Sequence, residues 1–263
     1  MIQNTFRGVP SIFKARCASN LNPPLLNTAL KAKYVLGLTA TPVRRDGQQP
    51  IIFMQCGPIR HTAVKRASAT HDLEVAPHSL HKRIDLSLDA GIQDVFRHIA
   101  NDLERTGAIA AEIETAFNQG RKVLVLTERT EHLDAIQSAL TGKVPPPFVL
   151  HGRMSKKQRA KLIEELDALS PDSPRILLAT GKLVGEGFDH PPLDTLVLAM
   201  PISWKGTLQQ YAGRLHREDA TKTEVRIVDF VDTGHPALLR MWDKRQRGYR
   251  AMGYRLGQEQ GLH

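Results

Sequence analysis

The stretch TLQQYAGRLHRED, residues 207–219, decides how the rest of this sequence is interpreted. Read as a helix with about 100° between successive residues, it places Gln210, Arg214 and Arg217 in one narrow stripe. Two neighbouring guanidinium groups match phosphate oxygens, and Gly213 lacks the Cβ that would keep a close partner away. A solvated polar face is the structural alternative. The opposite, apolar face consists of Leu208, Tyr211, Ala212 and Leu215.

The composition favours a globular protein with a polyanionic partner. Of the 263 residues, 41% are hydrophobic, which suits a packed core. Lys and Arg number 36 against 27 acidic residues, and the net charge of +9 favours nucleic acid as the partner. No apolar run approaches the roughly 20 residues of a membrane span. The two cysteines have neither metal-ligand nor disulfide spacing, so we expect a cytoplasmic protein with no membrane contact and no metal site.

Apolar runs alternate with helical patterns after residue 91. Strands are predicted at 123–128, 148–151, 175–180, 195–200 and 224–232, and helices at 91–105, 107–118 and 155–170. Most of these strands are continuous apolar runs, as expected for a parallel sheet covered on both faces. The sequence therefore predicts an α/β fold with a doubly wound, mainly parallel sheet. Further strands are predicted at 34–38 and 51–56, with extended structure at 73–88.

Two of the helices have signals of their own. Ser155 with Gln158 forms a capping box, and Ala160, Ile163 and Leu166 are the expected buried face of that helix. The last helix, from Pro236, has an apolar stripe and a basic side that could lie on a phosphate backbone or be solvated. The stripe contains Leu238, Trp242, Tyr249 and Met252, and the basic side contains Arg240, Lys244, Arg247 and Arg250.

Polar residues follow the predicted strands where ligands bind in open parallel sheets. Thr127 ends the first, Arg153 follows the second, and Thr180 and Lys182 follow the third. Hydroxyls and cations at neighbouring strand ends suit a phosphate chain, whether of a nucleotide or of a nucleic-acid backbone. The sequence contains no G-x-x-x-x-G-K-[ST] signature, so a P-loop for ATP is missing.

Four segments together resemble the C-terminal helicase domain of superfamily 2 helicases, in the branch related to the helicase subunits of type I and type III restriction enzymes. LTATP at 38–42 is similar to motif III, and 123–130 is similar to motif IV. Residues 180–189, with GEGFD, resemble motif V, and QYAGRLHR at 210–217 resembles motif VI. The resemblance covers residues 31–232 and implies a RecA-like fold.

The resemblance also implies roles for individual residues. Arg214 and Arg217, with Gln210, resemble catalytic arginine fingers that stabilise the transferring γ-phosphoryl group. Gly187, Asp189 and Gly213 are implied in ATP binding, and Thr39 and Thr41 in coupling hydrolysis to movement. Residues implied in nucleic-acid binding are Thr127, Arg153, Thr180 and Lys182.

The family's P-loop lysine and Asp-Glu pair belong upstream of motif III, where residues 1–45 contain no carboxylate. We therefore expect 1–45 to be a remnant of a first RecA-like domain and 46–90 a connecting extended segment. Residues 91–235 are then the second RecA-like domain, followed by a basic helix and tail at 236–263.

ATP with Mg²⁺ would bind the complete motor and not this chain alone. The expected partners are nucleic acid, with DNA favoured, and an N-terminal ATP-binding domain in cis or in trans. The alternative is a non-catalytic nucleic-acid-binding or regulatory module derived from a helicase.

Overall fold

The computed structural model describes two compact units, Met1–Ala67 and Ser68–His263. The described residues are 13–16, 35–38, 49–61, 72–87, 89–181, 188, 190–202, 205–217, 219, 222–258 and 260–262. In the first unit, β1 (Phe13–Arg16) pairs in parallel with β2 (Val35–Leu38), and helix α1 spans Gln49–Cys56. The predicted strand at 34–38 is confirmed.

The predicted strand at 51–56 is wrong, because this run lies in α1. A short apolar run does not distinguish a strand from a buried helix by periodicity alone. Pro50 is the second helical residue, where a missing N–H is tolerated. Gly57 follows the helix with a φ of 75°, and its N–H donates to the carbonyl of Phe53 at 2.9 Å. A left-handed glycine in this place is a common end of a helix.

The second unit is built on a parallel sheet. Its strands are β3 (Asp72–Leu80), β4 (Lys122–Thr127), β5 (Phe148–Leu150), β6 (Arg175–Thr180), β7 (Thr195–Leu198), β8 (Glu224–Asp232), β9 (Arg255–Leu256) and β10 (Gln260–Leu262). The order is β10-β3-β8-β7-β4-β6-β5, with β9 also on β3, and every described pairing is parallel. The predicted α/β fold with a doubly wound parallel sheet is confirmed.

Helices cover both faces of this sheet. They are α2 (Ile92–Ala100), α3 (Leu103–Asn118), α4 (Thr130–Leu140), α5 (Lys156–Asp167), α6 (Lys205–Leu215) and α7 (Pro236–Met252). Along β4, Leu124 and Leu126 join the core beneath α5, α6 and α7, whereas Val123 and Val125 join the core beneath α3 and α4. This two-residue alternation explains why the strand is apolar throughout.

The boundary between α2 and α3 differs from the prediction. The first helix ends at Ala100, and the Asp102 carboxylate caps α3 by accepting hydrogen bonds from the backbone N–H groups of Glu104 and Arg105 at 3.0 and 3.2 Å. Gly107, the predicted start of this helix, lies within it. An aspartate N-cap satisfies orphan N–H groups and so sets the helix start more strongly than a glycine does.

The capping box of α5 is confirmed, since the Ser155 N–H donates to Gln158 at 2.8 Å and the Gln158 N–H donates to Ser155 at 3.2 Å. The helix ends at Asp167, slightly before the predicted end. Its expected buried face is only partly confirmed. Leu166 is buried, Ile163 is half-buried and Ala160 is exposed.

Two segments predicted to lie outside the α/β domain belong to its sheet and core. Strand β3, from the expected connecting segment 46–90, pairs with β8 along all nine of its residues. The helix expected as a separate basic element at 236–263 packs Trp242 and Tyr249 into the core, and β9 and β10 pair with β3. The unit therefore begins before residue 91 and extends past residue 235.

Candidate functional site

Helix α6 has the two faces that the sequence predicted. Leu208, Tyr211, Ala212 and Leu215 are buried in the core. Gln210 is exposed and Arg214 is half-buried. The helix ends at Leu215, so the exposed Arg217 lies just beyond it and not on its last turn. Arg214 therefore has a helical backbone, whereas Arg217 lies two residues after the end of the helix.

Gly213 lies between these polar residues, where the fold itself does not require a glycine. A Cβ built at this position would meet no atom of the described residues within 4 Å. Its φ is not in the left-handed region, so neither crowding nor backbone conformation selects glycine here. The surface beside Arg214 has room for the close approach of another group.

Gly181, at the end of β6, is in the opposite situation. A Cβ here would overlap the hydroxyl of Tyr211 and lie 2.8 Å from its Cζ. Burial, with a contribution from the Glu128 carboxylate, raises the pKa of Tyr211 to about 12. Tyr211 therefore joins α6 directly to Gly181, the residue that follows β6. A small cavity beside this contact is lined by Leu126, Thr127, Glu128, Gly181, Leu198, Met200, Ile202 and Tyr211.

Two buried arginines hold the segment that leads from β7 into α6. Arg105 donates to the Ala199 carbonyl at 2.7 Å and to both carboxylate oxygens of Asp232 at 2.8 and 3.1 Å. Arg245 donates to the Asp229 carboxylate at 2.7 Å and to the Ile202 carbonyl at 3.3 Å. Each guanidinium thus bridges β8 to the backbone before α6, which fixes the position of that helix.

Sequence reasoning did not identify these two arginines as parts of the site. The available signal was positional, because Arg245 falls on the apolar stripe of α7 between Trp242 and Tyr249. Tyr249 also donates its hydroxyl to Asp229 at 2.7 Å, and burial next to this carboxylate raises its pKa. An aspartate within an apolar strand needs such partners when it is buried.

Lys222 closes the carboxyl end of α6. Its buried ammonium donates to the carbonyls of Leu215 and Arg217, each at 3.0 Å. The last carbonyls of a helix lack partners within the helix, and a cation there is also favoured by the helix dipole. Lys222 therefore anchors the backbone of Arg217 while the Arg217 side chain remains exposed. This residue too was not identified from the sequence.

The predicted nucleic-acid ligands are placed unevenly. Arg153 is exposed after β5, and Thr180 is half-buried at the end of β6. Thr127 differs from the expectation, because it is only 3% exposed and its hydroxyl is hydrogen-bonded to Nδ1 of His132 at 3.0 Å. In this arrangement its hydroxyl faces the protein interior and not a groove.

Several predicted site residues lie outside the described residues. These are Thr39, Thr41, Lys182, Gly187 and Asp189. Within the described part of the chain, no group of three or more His, Cys, Asp or Glu side chains could hold a metal ion. No helix in that part is long and apolar enough to cross a membrane.

Residues 106–219 match the family model of the helicase conserved C-terminal domain. The matched region contains β4 through α6 and the arginine-bearing end of that helix. This chain carries a helicase C-terminal domain. The resemblance to the C-terminal helicase domain is thereby confirmed, and the matched residues contain the segments similar to motifs IV, V and VI.

One curated relative is similar in sequence, and two solved structures are similar in fold. "Probable helicase D10" of Escherichia phage T5 is 27% identical over 230 residues, which are 85% of this chain and 48% of the relative. The helicase-domain chain thus spans about half the length of that relative. S. cerevisiae Dbp5 bound to RNA and ADP BeF3 superposes with a TM-score of 0.58 at 13% identity, over 89% of this chain and 54% of Dbp5. T4 UvsW has a TM-score of 0.56 at 19% identity, over 87% of this chain and 49% of UvsW. Both structures have the fold of this chain.

Proposed function

We propose that this chain supplies the C-terminal motor half of an ATP-dependent superfamily 2 helicase or translocase. The observation that carries the proposal is the amphipathic α6, which lies within a helicase C-terminal domain and turns Gln210 and Arg214 away from a fully packed face. Arg217 is exposed immediately after it. In this role Arg214 and Arg217 act as arginine fingers on the γ-phosphoryl group of an ATP held by a neighbouring lobe.

The residues present fit one side of an ATP site. Guanidinium groups match phosphate oxygens, and the space over Gly213 allows a triphosphate or its lobe to approach the helix. The sequence has no P-loop signature. ATP and Mg²⁺ would therefore be bound by an N-terminal RecA-like domain, in cis or in trans. Gly187 and Asp189 of this chain would contact the same nucleotide.

The proposed nucleic-acid partner is DNA, contacted through its backbone at the carboxyl ends of β5 and β6. Arg153 and Thr180 lie there, and Lys182 follows Thr180 in the chain. The net charge of +9 supports a polyanionic partner. Thr127 contributes to this surface only if its bond to His132 opens.

The test is Mg²⁺-dependent ATP hydrolysis with single-stranded and duplex DNA, by the chain alone and with a supplied N-terminal lobe, such as that of the phage T5 relative. We expect no turnover alone and DNA-stimulated turnover with the lobe. Arg217→Ala should then reduce turnover by about 10³-fold or more. Arg97→Ala, which removes an exposed arginine from α2, is the matched control and should leave turnover unchanged.

Two results would contradict the proposal in different ways. Robust turnover by the chain alone, abolished by Arg217→Ala, would show that no second lobe is required. DNA binding that ignores ATP and Arg214→Ala even with the lobe present would favour the non-catalytic module derived from a helicase.

A further inference from the structure

The outer side of α7 carries four exposed cations in a row. Arg240, Lys244, Arg247 and Arg250 are all exposed and fall within an arc of about 120° on a helix with 100° per residue. We call this surface the basic stripe. From Arg240 to Arg250 it is about 15 Å long at 1.5 Å per residue.

Among the described residues, no carboxylate neutralises the cations of the basic stripe. None of the four has a carboxylate within 4 Å among the described residues. Arg247 donates instead to the backbone carbonyl of Asp243 at 3.2 Å, and Arg250 donates to the side-chain amide of Gln246 at 3.3 Å. Asp243 is the one acidic residue on this side of α7, so the surface retains a net positive charge.

Two other helices of the same unit each contain an ion pair on their surface. On α2, Arg97 contacts Asp94 at 2.9 Å with i,i+3 spacing, and on α5, Lys161 contacts Glu165 at 3.6 Å with i,i+4 spacing. On α7 three of these spacings join like charges, such as Arg240 with Lys244, and like charges at these spacings destabilise a helix. Asp243 lies at such spacings from Arg240 and Arg247 but forms no ion pair with either. The basic stripe therefore costs the isolated helix stability, and an anionic partner would offset this cost.

The buried side of α7 leaves this surface facing outwards. Trp242, Arg245 and Tyr249 on that side are buried against β8 and α6. A Cβ at Gly248 would lie 2.8 Å from Leu208 Cδ2, which places α7 in close contact with α6, the helix that carries Arg214. The stripe thus belongs to the rigid frame of the domain.

We propose that the basic stripe binds the phosphate backbone of single-stranded nucleic acid. It would be a second contact surface, additional to the strand-end residues Arg153 and Thr180. Four cations along about 15 Å match a flexible chain of phosphates. This inference rests on the proposed function, since it assumes that the chain binds nucleic acid.

The test compares two double variants with the same net charge. Lys244→Gln with Arg247→Gln removes two stripe cations, and Lys143→Gln with Lys161→Gln removes two exposed cations elsewhere. Binding of labelled oligothymidine to the full chain is measured by fluorescence anisotropy over a range of salt concentrations. A plot of log K against log salt has a negative slope, and each lost phosphate contact should make it less steep by about 0.7. This corresponds to about fivefold weaker binding at 0.1 M salt.

For the stripe variant we expect the plot of log K against log salt to be less steep by up to about 1.4. For the control variant we expect the slope of the unaltered chain. The charge-keeping variant Lys244→Arg with Arg247→Lys should retain the affinity, which separates charge from packing. Thermal unfolding checks that each variant is folded.

The outcomes separate this inference from the proposed function. If the unaltered chain does not bind oligothymidine, the basic stripe is excluded, whereas the proposed function is decided separately by DNA-stimulated turnover with the supplied lobe. If the unaltered chain binds and the two neutralised variants bind equally, only the basic stripe is excluded. If the stripe variant loses binding to poly-glutamate but not to oligothymidine, the surface recognises acidic protein instead and the inference is overturned.

Discussion

At the scale of single residues, Gly181, which contacts α6, and Gly213, which lies within it, are glycines for different reasons. Gly181 is required by the fold, because Tyr211 occupies the space of its missing Cβ. Gly213 is not required by the fold, because that space is open among the described residues. A glycine that packing does not explain, within a helix where it costs stability, points to a partner outside this domain.

Alanine substitution at these glycines should therefore give opposite results. Gly213→Ala should raise the free energy of unfolding, by up to about 1 kcal/mol, because alanine is the better helix former. It should nevertheless impair ATP turnover in the reconstituted motor. Gly181→Ala should lower the free energy of unfolding by about 1–3 kcal/mol through overpacking against Tyr211. Urea unfolding measures both, and a destabilised Gly213→Ala variant would contradict the open space.

His132 should make stability depend on pH. Burial, with a smaller contribution from the positive charge of Arg105, lowers the pKa of His132 from 6.5 to about 3. Between these values the unfolded chain binds a proton that the folded chain does not, so stability falls as the pH decreases from 6.5 towards 3. The slope from this residue is at most about 1.4 kcal/mol per pH unit.

His132→Gln should flatten this dependence, as measured by urea unfolding at several pH values between about 4 and 7. His81→Gln changes an exposed histidine and serves as the control. Equal slopes in the two variants would show that His132 is not buried as a neutral ring.

At the scale of elements, α6 is held at both ends by buried cations. Arg105 and Arg245 fix the backbone before it, and Lys222 caps the carbonyls after it. Arg214 and Arg217 are thus held in fixed positions, as the proposed catalysis by positioned charge requires.

Lys222→Met tests how much the Lys222 ammonium stabilises the carboxyl end of α6. Loss of the ammonium leaves two carbonyls without these donors and should reduce the free energy of unfolding by about 1–3 kcal/mol. Lys143→Met, at an exposed position, should change it by less than about 0.5 kcal/mol. Chemical denaturation measures both. Indistinguishable midpoints would mean that the cap does not stabilise the end of α6.

At the scale of the whole second unit, the carboxyl-terminal segment completes the sheet and the core. Helix α7 covers α6 and β8, and β9 and β10 pair with the outer side of β3. The family model ends at residue 219, so this covering lies beyond the matched region.

Truncation should show how much the unit depends on α7. A chain that ends at residue 235 leaves the apolar surface around Leu208 and Leu215 uncovered and loses the Arg245 partner of Asp229. It should lose cooperative thermal unfolding, as followed by circular dichroism, and become sensitive to limited proteolysis. A chain that ends at residue 258 lacks only β10 and should still unfold cooperatively at a lower temperature. Cooperative unfolding of the shorter chain would contradict this role of α7.

Local pattern was sufficient to predict the parallel α/β sheet, the two faces of α6 and the capping box of α5, because periodicity and caps depend on residues close in sequence. Motif order was sufficient for the helicase relationship. Only the tertiary structure revealed the inward hydroxyl of Thr127, the contact of Tyr211 with Gly181, and the buried Arg105 and Arg245. These depend on residues up to 127 positions apart, as in the pair of Arg105 with Asp232. Periodicity shows that a side chain is buried, but the partner that neutralises it is chosen by how the elements pack.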